Sequence, residues 1–424
     1  MAVVASSRSA PIAPVQPSLA GRVPLLLMVA SLVAYLVAPG VQLSDSKYSM
    51  LLSESILLHH TTVLSANYRI PKPAFGPGHY PIDVSEANTY QLTEVPGGTT
   101  YFYPHGSSIL SIPFVALMHL AGISASTPDQ RWNLFGEIVL QKVLAAILTA
   151  TLVALIDATA MLVLKPLESA VVAIAAAFGS QLLSTASRGM WSETWQAFIL
   201  GWVVYLLLRS KVRDEAPQTV LMASLLAWTY FVRPLSAISI AAVTVYFFLN
   251  YRDRFTTYAI TGLVWLAAFI AYSLLVFDSY LPGYYLRYTP GGGGVLPGLR
   301  GVLINPSRGL LVFVPAVLFI CYLVIRYWRS IPYRELAILA STIIILHTFA
   351  IATYEEWWGG LCYGARLYLD VLPWFVLLAI LGLAAVANTR VGRLGRIEIA
   401  AAILLVLIGV AANAPAMMAH SALR

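Results

Sequence analysis

Between Leu43 and His60 the chain reads LSDSKYSMLLSESILLHH, which sets an aspartate, a lysine, a glutamate and two histidines just after an apolar stretch running from Pro24 to Pro39. A carboxylate in such a place can act as a general base. Further along come Tyr103 and His105 in YFYPHGS, Arg188 and Glu193 in SRGMWSETWQ, and Arg233 in FVRPL. Arg287 in RYTPGGGG and Arg308 in NPSRGLL follow, and YEEWWGGLCYGARLYLD carries Glu355, Glu356, Trp358, Tyr363, Arg366 and Asp370. Guanidinium groups match phosphate oxygens two at a time, so arginines gathered beside a carboxylate suit a phosphorylated substrate. His59 and His60 are adjacent, and on a helix they point about 100° apart, which makes a poor chelating pair. Glu54 is a poor partner for Asp45, because nine helical positions separate the two by about 13 Å.

The elements that must position these residues are membrane spans. Of 424 residues, 59% are hydrophobic and 11% charged, with a mean hydropathy of +0.77, so the sequence reads as an all-α polytopic membrane protein. The net charge of +7 comes from short basic clusters between apolar blocks, where it serves topology rather than nucleic-acid binding. Two cysteines, Cys321 and Cys362, offer neither a disulfide framework nor a thiolate metal site. Apolar blocks fall at 23–40, 134–164, 168–187, 192–209, 217–232, 235–250, 256–277, 310–326, 334–353, 370–388 and 397–416, a bundle of about eleven transmembrane helices. A further block, 106–122, is expected to be half-inserted, because only then do LKPLES, RSKVRDE, NYRDRF, RYWRSIPYRE and NTRVGRLGRIE all fall on the inside.

The expected layout is a disordered cytoplasmic segment at 1–22, one membrane domain at 23–416, and a tail at 417–424. Its external loops are 41–133, 278–309 and 354–369, with the glycine run Gly291 to Gly294 acting as a flexible lid. The stretch after Asp45 predicts an amphipathic helix along the interface, with Asp45 either at a catalytic mouth or simply capping that helix. Each charged residue has a plainer alternative. Arg188 and Arg308 could pair with Glu193 and with a neighbouring carbonyl, and Trp357 and Trp358 could form an interfacial aromatic belt rather than stack on a sugar.

The ordered blocks LSDSKYSMLLSESIL, YFYPHGSSILSIPF, SETWQAFILGWVVYLLLR, FVRPLSAI, NPSRGLLVFVPA and WWGGLCYGARLYLDVLPW, over about residues 24–375, resemble the GT-C superfamily of membrane glycosyltransferases. That class uses polyprenyl-phosphate sugars and includes protein O-mannosyltransferases and aminoarabinose transferases. The resemblance implies a GT-C-like bundle whose large first external loop holds amphipathic or half-inserted helices. It implies an inverting transfer on the extracytoplasmic face with Asp45 as base. It also implies that Lys47, Arg233, Arg308 and Arg366 surround the donor phosphate, and Tyr103, His105, Glu193, Glu356, Trp358 and Tyr363 become candidates for substrate contact. The family often has a second acid after the aspartate; here Ser46 stands there, so no metal or other cofactor is expected as a requirement. The implied partners are a lipid-linked sugar donor, a glycan, lipid or protein acceptor, and membrane lipids, in a prokaryotic inner membrane. Two rivals remain: a lipid-linked glycan flippase, which would also want a cationic cavity, and an O-antigen-ligase-type enzyme.

Overall fold

A computed structural model describes residues 22–73, 90–286, 294–354, 356–389 and 392–419. The expected disorder at 1–21, Arg287, the glycines at 291–293, Glu355 and the tail from 420 lie outside the described residues. The described residues are helical, relieved by one short antiparallel hairpin, β1 (Leu92–Val95) and β2 (Gly98–Tyr101), paired from Leu92 opposite Tyr101 to Val95 opposite Gly98.

Every apolar block holds helix, although 168–187 is interrupted after Phe178 and 310–326 after Phe313. The elements are α1 (Val23–Val37), α2 (Ser49–His59), α3 (Gly106–Leu120), α4 (Leu134–Ala160), α5 (Pro166–Phe178), α6 (Ser192–Arg213), α7 (Thr219–Val232), α8 (Ala237–Asn250) and α9 (Arg252–Phe277). Then come α10 (Val295–Ile304), α11 (Ala316–Arg326), α12 (Arg334–Ala352), α13 (Leu372–Ala387) and α14 (Arg396–Asn413). Among the described residues five helical segments are long and apolar enough to cross a bilayer: Leu134–Ala160, Arg252–Phe277, Arg334–Ala352, Arg366–Ala387 and Arg396–Met418. This is a multi-pass, all-α membrane protein, with further apolar helices of 10–17 residues packed among those five.

Local chemistry sets the ends of these helices. Pro24 and Pro166 stand in the first turns of α1 and α5, where the missing N–H costs nothing. Asn133 caps α4, its side-chain oxygen accepting from the Gly136 amide at 3.1 Å. At the end of α7, Pro234 forces the residue before it out of helical geometry, and Arg233 is extended with φ −159° and ψ 123°.

The bundle is layered around α13. Of the most apolar stretch in Arg366–Ala387, 89% is buried, against 11% in Arg252–Phe277 and Arg396–Met418, which therefore present their flanks to lipid. Helix α3 is 15 residues long with Pro113 inside it. At 1.5 Å per residue it reaches about 22 Å, short of a bilayer's hydrocarbon thickness. It packs on α2 and α7.

The helix after Asp45 corrects the expectation made for it. Residues Ser49 to Ser55 are all buried, with Met50, Leu51, Leu52, Ser53 and Glu54 fully so. The segment is thus an internal helix rather than an interfacial one, because its serines and Glu54 find protein partners inside. Ser53 donates to the Ser108 carbonyl at 2.8 Å, and the Glu54 carboxylate accepts from Ser124 Oγ at 2.7 Å and the Ala125 amide at 2.8 Å. Nor does Asp45 cap it. That position belongs to Tyr48, and the carboxylate of Glu137 in α4 takes the Met50 and Leu51 amides at 2.9 and 3.1 Å.

The two ends of the bundle differ in charge. At one end Lys211 pairs with Glu335 at 3.1 Å, Lys211 Nζ lies 5.2 Å from the Tyr251 ring centre, and Asn388 donates to the Ser330 carbonyl at 3.4 Å. The end of α6 thus meets the start of α12, and the end of α13 meets the turn before α12. The opposite ends of the same helices bring Asp45, Glu193, Arg366 and Asp370 together.

Candidate functional site

The Asp45 loop is held residue by residue. Gln91 Nε2 donates to the Ser44 carbonyl at 2.8 Å, the Tyr101 hydroxyl to the Asp45 carbonyl at 2.7 Å, and Gln141 Nε2 to the Ser46 carbonyl at 2.7 Å. Tyr48 then takes a left-handed backbone, φ 70°, which a bulky residue adopts only when its surroundings enforce it. The enforcement comes from the Trp132 ring, 4.7 Å from its own, and from Glu137 on the amides just beyond. Gly189 makes a close approach possible on the other side. A Cβ there would lie 2.2 Å from the Gln42 carbonyl oxygen, beside the bond from the Gln42 amide to the Arg188 carbonyl.

From Asp45 runs a buried chain of alternating charge. Asp45 Oδ2 meets Arg366 Nη1 at 2.9 Å. Arg366 grips Glu193 with two nitrogens, Nε to Oε1 at 2.6 Å and Nη2 to Oε2 at 3.3 Å. Glu193 Oε1 also meets Arg233 Nη2 at 3.1 Å, and Arg233 Nε meets Asp370 Oδ2 at 2.7 Å. Ser192 Oγ accepts from Arg233 Nη1 and donates to Glu193 Oε2, both at 3.1 Å. The Arg366 guanidinium also stacks on Trp191, 3.5 Å from the ring centre. Glu193, Arg233 and Asp370 are 0–1% exposed at the side chain, while Asp45, at 24%, is the one member that reaches open space. Its second oxygen faces the Tyr90 hydroxyl at 3.4 Å.

Two guanidiniums against three carboxylates leave this chain with a net charge of about −1 when all are ionised. Arg233 and Arg366 are therefore committed to acids. Two other candidates lack an acid partner among the described residues. Lys47, two residues from Asp45, is half-buried, and burial lowers its pKa. Arg308 donates to the Ser307 and Gly360 carbonyls at 3.3 and 3.4 Å. With Arg366, Trp357, Trp358 and Tyr368 it lines a small pocket behind the 354–369 loop.

The remaining candidates divide. Trp358 lies on the Arg308 pocket. Glu356 is half-buried in the same loop, where its backbone carbonyl accepts from the Gly359 amide at 2.9 Å. Tyr363 is tied elsewhere, its hydroxyl donating to the Ala412 carbonyl at 2.9 Å. Tyr103 packs into an aromatic group with Phe102 and Tyr284. His105 is also engaged: Nε2 lies 2.8 Å from the Tyr101 carbonyl, so it must carry the proton, and Nδ1 accepts from the Tyr272 hydroxyl at 2.5 Å. Burial pushes its pKa down to about 4. Among the described residues no three His, Cys, Asp or Glu side chains cluster as a metal site.

The positioning residues Glu137, Gln141, Tyr90, Gln91, Tyr101 and Trp191 escape sequence reasoning. One signal was available, since Glu137 and Gln141 are polar residues four apart at the start of an otherwise apolar span, and so share a face that must look inward. No family model matches this chain, and neither does any curated protein or solved structure.

Proposed function

We propose that this protein is an integral-membrane glycosyltransferase that moves a sugar from a polyprenyl-phosphate donor to an acceptor hydroxyl, with inversion. The observation that carries the reading is Asp45: a partly exposed carboxylate, held through its backbone and by Arg366, in a neighbourhood where Lys47 and Arg308 meet no acid among the described residues. In the reaction Asp45 takes the acceptor proton as the acceptor oxygen bonds to the anomeric carbon and the bond from that carbon to the phosphate oxygen breaks. Lys47 and Arg308 receive the charge that develops on the departing phosphate. Trp358, beside Arg308, offers a ring face to the sugar. Glu193, Arg233 and Asp370 position Arg366, which aims the Asp45 carboxylate through the bond to its Oδ2.

In this reading Asp45 faces the extracytoplasmic side, because the loops rich in arginine and lysine gather at the other end. The bundle of about eleven crossings counts the shorter apolar helices with the five long ones.

Replacing Asp45 with Asn tests it. We expect transfer to fall by about 10²–10⁴-fold, the usual worth of a general base, with donor binding kept. Unchanged turnover would remove the assignment, and a flippase would keep translocating lipid-linked sugar in the same variant.

A further inference from the structure

A second group of cations at the Asp45 end is built in the opposite way. Arg188 is 2% exposed, yet among the described residues it meets no carboxylate. Its Nη1 donates to the Ser184 carbonyl at 3.1 Å, its Nη2 to the Ala419 carbonyl, and its Nε has no partner among the described residues. Lys142 and Arg188 lean on the same terminal turn: Lys142 donates to the Gly40 carbonyl, the Gly40 amide donates to the Met417 carbonyl, and Arg188 donates to the Ala419 carbonyl. The Lys142 ammonium, half-buried, donates only to the carbonyls of Ala38 and Gly40.

Two side chains on the Arg188 turn share its condition. Ser184 Oγ and Gln181 Nε2 are buried without partners among the described residues. Residues Leu182–Ala186 form a π-helical turn with Gln181 at its start, and the bond from Arg188 to Ser184 O folds the guanidinium back over that turn. Buried polar groups are seldom left unpaired, and an uncompensated one costs about 1–3 kcal/mol. Here the unpaired groups are an arginine N–H, an amide NH₂ and a hydroxyl beside a lysine, with no acid among their partners. What would satisfy all four together is an oxyanion.

We propose that Arg188, Lys142, Ser184 and Gln181 form an anion site that takes the phosphate of a membrane lipid headgroup. The covering element argues for a lipid: the turn over Arg188 ends the segment Arg396–Met418, only 11% of whose most apolar stretch is buried, so the site closes on the lipid-facing side of the bundle. The gate is the terminal turn Ala414–Met418 with Ala419, whose carbonyl holds the place on Arg188 that a phosphate oxygen would take. This site is distinct from the Arg308 pocket and does not depend on the transferase reading.

The test uses the full chain in neutral detergent, with thermal unfolding read against three additives: dioctanoyl phosphatidylglycerol, dioctanoylglycerol (which lacks the phosphate) and inorganic phosphate. The phosphatidylglycerol is expected to stabilise the protein saturably and dioctanoylglycerol to do nothing. Lys142→Gln and Ser184→Ala should each weaken that stabilisation at least tenfold in apparent affinity. Arg188→Gln is left aside, since it empties a buried position. Inorganic phosphate that stabilises as well as the lipid, and loses its effect in both variants, would keep the anion site and overturn the lipid as its occupant. Equal stabilisation by dioctanoylglycerol, or by phosphatidylglycerol in wild type and both variants, would overturn the site.

Discussion

Helix α6 carries an ion pair at each of its ends, and the two are unlike. At its start Glu193 lies between Arg366 and Arg233 with no exposure at all; near its finish Lys211 meets Glu335 with side chains 21% and 37% exposed. The exposed pair trades water for a partner at nearly equal value, and salt screens it. The buried group has no water to return to, so removing one member strands the others. One helix thus holds a replaceable contact and an irreplaceable one, and the irreplaceable one lies beside Asp45.

Breaking the contrast should be costliest at its centre. Glu193→Gln leaves two buried guanidiniums with only Asp45 and Asp370, and unfolding in detergent should show a loss of about 3–5 kcal/mol. A loss below 1 kcal/mol would mean that water reaches the site.

The dryness of that end can also be titrated. His105 is buried neutral, its pKa near 4 against 6.5 when free. Above pH 6.5 neither state is protonated and stability is unaffected. As pH falls from 6.5 toward 4 the unfolded chain takes the proton first, so stability should drop, by about 2 kcal/mol at pH 5. A His105→Gln variant whose unfolding midpoint stays level across that interval would identify the group responsible.

Tyr90 sharpens the comparison where the ionic chain reaches open space. Its hydroxyl stands on the Asp45 oxygen that an acceptor would need. Tyr90→Phe removes one weak hydrogen bond worth about 0.5–1 kcal/mol, and the expected outcome is a two- to fivefold lower KM for the acceptor with donor KM unchanged. A fall in kcat at constant KM would instead make Tyr90 a positioning residue. At the other end Lys211→Met should cost under about 1 kcal/mol in the same unfolding measurement.

Much of this was legible in the sequence, and for simple reasons. Length and hydropathy mark an apolar helix whatever its neighbours do, so the expected blocks recur as helices. Arg233, with Pro234 after it, was bound to leave its helix, and Asp45, Glu193, Arg233 and Arg366 do converge. What the sequence hid was which charge answers which. Asp45 and Arg366 are 321 positions apart, and no local pattern encodes that pairing, so arginines that looked available for phosphate proved already engaged. The helix after Asp45 was misplaced for a related reason: its serines and Glu54 look like a wet face unless one knows that the 124–126 loop awaits them.

The order of the ionic chain along the polypeptide bears on how the protein is made. Asp45, Glu193 and Arg233 leave the ribosome long before Arg366 and Asp370, so for more than a hundred residues of synthesis three of the network's five members wait for the other two. Any truncation upstream of Arg366 would leave Asp45 and Glu193 without that cation in the nascent bundle, a mark by which quality-control proteases could tell an unfinished chain from a finished one.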